Sequence, residues 1–143
     1  MKNRTAYSIG GVVLVLSAAM QAAYQLVWLP AQAMTYQPTV WDTLTLYLAR
    51  PAFWLSLGAL AAGGCRRQMA YRRTFLWLGA ALTVLYSILA VLQVSGVLLA
   101  KPLWIALLWL TQNPVVFLIP GILLGIGVHP SESVPMRGRR VLT

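Results

Sequence analysis

The side chains able to do acid–base, nucleophilic or ligand chemistry are few enough to name. Asp42 and Glu132 are the only carboxylates, His129 the only histidine and Cys65 the only thiol. Paired-carboxylate hydrolysis needs two acids flanking one bond, and structural or catalytic metal sites draw three or four ligands from Cys, His and carboxylates. Two acids and one histidine leave no such constellation, and no pair of histidines to hold a haem within the membrane. A lone cysteine forms no internal disulfide and says nothing about redox compartment. Beside Arg66 and Arg67, Cys65 reads as an ordinary interfacial cysteine, and His129, ahead of Pro130, as a helix-end or surface residue. The reading is therefore not an enzyme, with no metal and no cofactor.

What remains is amide, hydroxyl and guanidinium. Ser17, Gln21 and Gln25 recur every four residues, which places them on one side of a helix. Arg50 sits in the otherwise apolar stretch TLTLYLARPAFWLSLGALAA, Gln93 near the end of a Leu- and Val-rich run, and Thr111, Gln112 and Asn113 together inside a fourth. These seven polar positions, Gln21, Gln25, Arg50, Gln93, Thr111, Gln112 and Asn113, form the candidate ligand-contact layer. An arginine near the middle of a membrane helix costs about 2.5 to 3.5 kcal/mol on insertion scales unless it snorkels, draws in water or finds acceptors. Three readings of Arg50 stay open: a headgroup anchor, a contact with an acid or cofactor in another subunit, or part of a ligand or ion path within this chain.

The elements that carry these groups follow from hydropathy. Of 143 residues 59% are hydrophobic and 9% charged, with a mean hydropathy of +0.73. Soluble domains carry about 25% charge. Thr5 to Trp41, Thr74 to Ala100 and Pro102 to Ser131 contain no Asp, Glu, Lys or Arg at all. Since a helical crossing takes about 20 apolar residues, the sequence predicts an all-α membrane protein, a four-helix bundle forming one polytopic domain over 1–143. The expected helices are 8–29, 43–62, 75–97 and 103–124, with a basic tail at 129–143. The first is expected to stop at Pro30. Its alternative, a secretory signal led by Lys2 and Arg4, is disfavoured because the apolar stretch outruns a signal core.

The second and fourth helices are expected to be distorted by proline. Pro51 withholds the N–H that Tyr47 would receive, and Pro114 and Pro120 do the same to Leu110 and Val116. A surface helix over 41–49 followed by a re-entrant piece is the alternative for the second segment. Counted from the predicted outer ends at 1.5 Å per residue, Gln25 and Gln93 lie about 6 Å deep, Arg50 about 10 Å, Gln21 about 12 Å and Thr111 to Asn113 about 12 to 15 Å. Four helices thus offer polar groups to one half of the membrane. Small residues at spacing four, Ala18 with Ala22, Gly58 with Ala62 and Gly121 with Gly125, offer close helix approach.

Charge fixes the expected orientation. The formal charge is +9. With four crossings, Lys2 and Arg4, then Arg66, Arg67, Arg72 and Arg73, then Arg137, Arg139 and Arg140 all fall on one side, which the positive-inside rule makes cytoplasmic. Both termini are therefore expected inside, in the cell inner (plasma) membrane, with the basic clusters facing anionic lipid headgroups. The short MRGRR segment lacks the aromatic platform of a nucleic-acid site, so no nucleic-acid partner is expected. With loops too short to hold a soluble active site, the expected role is a non-catalytic accessory or structural subunit beside another integral membrane subunit. The alternative is a small oligomeric transporter or channel using the polar layer around Arg50, with a lipid enzyme third.

Overall fold

A computed structural model describes residues 2–32, 39–64, 72–96 and 100–128. The described residues form helices and no strand. Three helices are long and apolar enough to cross a membrane, or four if a sharply broken pair counts as one.

Helix α1 covers residues 2–32. It is α-helical over Lys2–Ala23, widens into a π turn at Tyr24–Trp28 and resumes over Leu29–Gln32. Pro30 does not end it, contrary to expectation. The Leu29 N–H bonds the Tyr24 carbonyl, five residues back. Widening the turn gives the pyrrolidine ring room against the preceding turn, where an α-helical carbonyl would clash with it.

Helix α2, residues 40–64, repeats the device. It runs Val40–Leu44, a π turn at Thr45–Ala49, then Arg50–Gly64, and the Arg50 N–H bonds the Thr45 carbonyl immediately before Pro51. Its start precedes the expected Thr43 because Thr39, in extended conformation, and Asp42 close a capping box. Helix α3 is Arg72–Val94. It stops short of the expected residue 97 where Gly96 takes φ 76°, a left-handed conformation that closes a helix C-terminus at little steric cost.

The expected fourth helix, 103–124, is two. Helix α4, Lys101–Gln112, and helix α5, Pro114–Val128, meet at 89°. Between them Asn113 leaves helical conformation at φ −116°, ψ 61°. Helix α5 opens with a 3-10 turn over Pro114–Phe117 before its α-helical part, Leu118–Val128. Pro114 starts that turn, where a missing N–H costs little. Leu118 N–H is shared between the carbonyls of Val115 and Val116, so the acceptor left by Pro120 is occupied.

Contacts fix the relative directions. Tyr7 donates to the Gly63 carbonyl and Gly10 abuts Leu60, while Gln21 meets Ala49 and Tyr24 meets Asp42, so α1 and α2 are antiparallel. Gly121 lies on Leu55 and Gly125 on Ala59, so α5 runs parallel to α2. Gly79 abuts Leu124, and Gly127 abuts Leu76, so α5 is antiparallel to α3. The starts of α1 and α3 and the ends of α2 and α5 therefore share one end of the bundle.

The α2–α5 seam is backbone against backbone. A β-carbon on Gly121 would stand 2.2 Å from the Leu55 carbonyl oxygen, one on Gly125 2.4 Å from that of Ala59, and one on Gly58 2.5 Å from that of Leu118. The Gly58/Ala62 and Gly121/Gly125 pairs thus face each other, the close approach that substitutes for a hydrophobic driving force in lipid. Ala22, by contrast, is exposed. Near the opposite end, Tyr86, Ala90, Leu107 and Phe117 form the buried core, with Tyr47, Trp54, Leu55, Leu89 and Leu110 packed around it.

Candidate functional site

Three polar assemblies lie along the half of the bundle away from the shared end. The outermost ties α1 to the start of α2. The Tyr24 hydroxyl donates to Asp42 Oδ1 at 2.5 Å, while the Thr39 N–H and hydroxyl donate to Oδ2 at 2.6 and 2.8 Å. Trp28 Nε1 donates to Thr39 Oγ1 at 3.1 Å, and its ring tilts against Trp41 with centroids 5.9 Å apart. The carboxylate sits in the first turn of α2, where the helix dipole favours a negative charge. Sequence reasoning did not place these residues in the site. The T-x-x-D spacing ahead of an apolar run was the signal available.

The second assembly lies between the π turn of α2 and α1. Gln21 Nε2 donates to the Ala49 carbonyl at 3.4 Å, a long bond. Thr45 is 2% exposed and its Oγ1 has no hydrogen-bond partner among the described residues. Other small hydroxyls in the bundle bond their own helix: Ser17 to Leu14, Ser56 to Ala52 and Phe53, and Thr111 to Leu108. Arg50 follows, half-buried, and makes no hydrogen bond or ion pair among the described residues.

The third assembly answers the prolines. In α-helical register Pro51 owes an N–H to Tyr47, and the Tyr47 carbonyl receives the Tyr86 hydroxyl instead, at 3.1 Å. Tyr86 is buried and its ring meets Phe117 edge-on with centroids 4.5 Å apart. The contacts of Gly121 on Leu55 and of Gly58 on Leu118, continued back to Pro114, set it beside residues 48 to 54 of α2. Tyr86 thus bridges the wide turn of α2, at the Tyr47 carbonyl, to Phe117 just past the break between α4 and α5. At the break, Asn113 Nδ2 donates to the Trp109 carbonyl at 3.0 Å.

Of the seven polar positions expected, the structure brings Gln21 onto the carbonyl next to Arg50 and places Asn113 and the buried Thr111 at the break. Gln112 and Gln25 are exposed, and Gln93 is half-buried. No hydrogen bond joins Gln25, Gln93, Thr111, Gln112 or Asn113 to Arg50 among the described residues. The arginines assigned to topology fall mostly elsewhere: Arg73 is exposed at the start of α3, where Arg72 also lies, whereas Arg66, Arg67, Arg137, Arg139, Arg140 and the 129–143 tail lie outside the described residues, as do Cys65 and His129. Among the described residues, no three His, Cys, Asp or Glu side chains cluster as a metal site.

No protein family, curated protein or solved structure matches the chain, so the geometry alone informs its function.

Proposed function

We propose that this chain is a non-catalytic, multi-pass accessory subunit of the cell inner membrane. Both of its ends are cytoplasmic, and it packs laterally against another integral membrane protein. The observation that carries this reading is Gln25. It lies within the apolar span Tyr7–Ala31, is exposed, and makes no hydrogen bond among the described residues. Only 6% of the most apolar window of that span is buried by the rest of the chain, against 28% for α2. An amide on an uncovered helix face at membrane depth gains from a partner helix that offers a donor and an acceptor, by about 0.6 to 2 kcal/mol. On this reading Gln21 steadies α1 on α2, Gln25 faces outward to the partner, and the exposed Val15, Leu26 and Leu29 on the same side contribute apolar contact.

The test is Gln25→Leu, with Leu16→Ile as control, in protein purified in mild detergent and weighed by native mass spectrometry. The expected result is one stoichiometric integral membrane partner, retained by parent and control and depleted by Gln25→Leu at unchanged membrane abundance. Recovery only as a monomer or homo-oligomer would contradict it. A homo-oligomer would favour the rival reading of a small transporter or channel, for which the specific support is the 89° break, joined through Tyr86 to the wide turn of α2.

A further inference from the structure

We propose that Arg50 holds the phosphate of an outer-leaflet phospholipid in a notch where the α4–α5 break shortens the bundle. The assignment holds whether or not a partner covers α1.

The first support is the flank that Arg50 occupies. Along α2, Leu55, Gly58 and Ala62 meet α5, while Ala49, Leu60 and Gly63 meet α1. At about 100° per residue, Arg50 falls on neither face, but on the remaining flank with the exposed Ala61. Nothing in the described chain neutralises it, and the half-buried side chain makes no hydrogen bond among the described residues, so its five donors remain for a ligand. The nearby carboxylate, Asp42, is already engaged by Tyr24 and Thr39.

The second support is length. Val40–Gly63 has 24 residues and spans about 36 Å, more than the hydrocarbon thickness of about 30 Å. Pro114–Val128, parallel to it, spans only about 25 Å counting its 3-10 turn at 2 Å per residue. Beyond Pro114 the chain turns by 89° into α4. Helix α4 exposes Leu103, Trp104, Ile105, Leu108 and Trp109 and carries its exposed polar groups, Lys101 and Gln112, at its two ends. A short apolar column is met by local thinning and by snorkelling of flanking side chains. The seam contacts, continued back to Pro114, set the break beside residues 48 to 54, the stretch that contains Arg50, so a leaflet thinned over the short column brings its headgroups toward the guanidinium. A planar guanidinium matches a phosphodiester through two parallel hydrogen bonds, which an ammonium cannot reproduce.

The test uses full-length protein, delipidated in detergent and then offered four probes in turn: phosphatidylglycerol, phosphatidylcholine, a diacylglycerol glucoside with the same acyl chains, and inorganic phosphate alone. Native mass spectrometry reads retention in the parent, Arg50→Lys and Arg50→Leu, and each variant is first checked for membrane abundance and monodispersity. The parent retains both phospholipids but not the glucoside. Arg50→Lys weakens retention several-fold and Arg50→Leu by at least about tenfold, while inorganic phosphate neither forms an adduct nor displaces lipid. Equal retention by parent and Arg50→Leu overturns the site, and so does equal retention of the glucoside. An Arg50-dependent adduct of inorganic phosphate overturns the lipid as its source. Loss of a protein partner in Arg50→Leu with phospholipid retention unchanged assigns the guanidinium to a partner carboxylate instead, and likewise refutes the proposal.

Discussion

Two buried hydroxyls in the same half of the bundle carry opposite energetic signs. The Tyr86 hydroxyl meets a carbonyl that Pro51 leaves without its α-helical partner. Tyr86→Phe keeps the ring on Phe117 and removes only the donor, so it leaves an acceptor in a water-poor interior. A loss of about 1 kcal/mol is expected, the scale of a single hydrogen bond in a membrane protein, and reversible unfolding in mixed micelles reads it. Thr45 is the reverse case, since its Oγ1 is buried without a partner among the described residues. Thr45→Val trades an unsatisfied hydroxyl for a methyl of similar size, so stability is expected to hold or rise. A drop above about 1 kcal/mol in the same assay would reveal a water or ligand bound to that hydroxyl.

Between helices, the glycines of the α2–α5 seam act through what they lack. Gly125→Ala drives a methyl into the Ala59 carbonyl, and Gly121→Ala does the same at Leu55, so both backbones must part. A destabilisation of about 1 to 3 kcal/mol is expected for either, as for other overpacked interiors. Gly11→Ala is the internal control: nothing lies within 4 Å of its added β-carbon, so a small gain from helix propensity is expected. Equal effects at Gly11 and Gly125 in the unfolding assay would show that the seam is looser than the contacts imply. Small residues at spacing four marked this seam as a candidate in the sequence, but not its partner, and the same spacing at Ala18 and Ala22 leaves Ala22 exposed. The apolar runs likewise marked the all-helical membrane character, since lipid forces backbone groups to bond within their own segment. The π turns were not legible. Proline announces a missing N–H, but whether a helix stops, kinks or widens depends on what packs at the freed carbonyl, and Tyr86 approaches Tyr47 from 39 residues away. The right angle at Asn113 was hidden for the same reason: Pro114 and Pro120 suggested a bend in one helix, and tertiary contacts at Phe117 and Leu107 decide where its two pieces lie. The polar layer was legible as a set of depths only. Which members touch depends on rotation about each helix, and a depth count leaves that free, so Gln21 found Ala49 while Gln25 turned outward.

At the scale of the whole molecule, the proposed orientation rests on the shared end of the bundle and on the clustering of basic residues in the sequence. The segment between α2 and α3 contains Arg66 and Arg67, and Arg72 and Arg73 open α3. Neutralising all four is expected to produce mixed orientation, because retention of the inner loop rests mainly on them. If that loop is cytoplasmic, the Tyr24–Asp42 cap, the wide turn before Arg50 and the α4–α5 break all fall toward the outer leaflet. The lipid and partner proposals both depend on that placement. Single cysteines at Gln37 and Gln68 in a Cys65→Ser background, exposed to a membrane-impermeant maleimide on intact cells, read it directly. Gln37→Cys is expected to label from outside and Gln68→Cys only after permeabilisation; equal external labelling of both, or labelling of Gln68→Cys alone, would contradict the orientation.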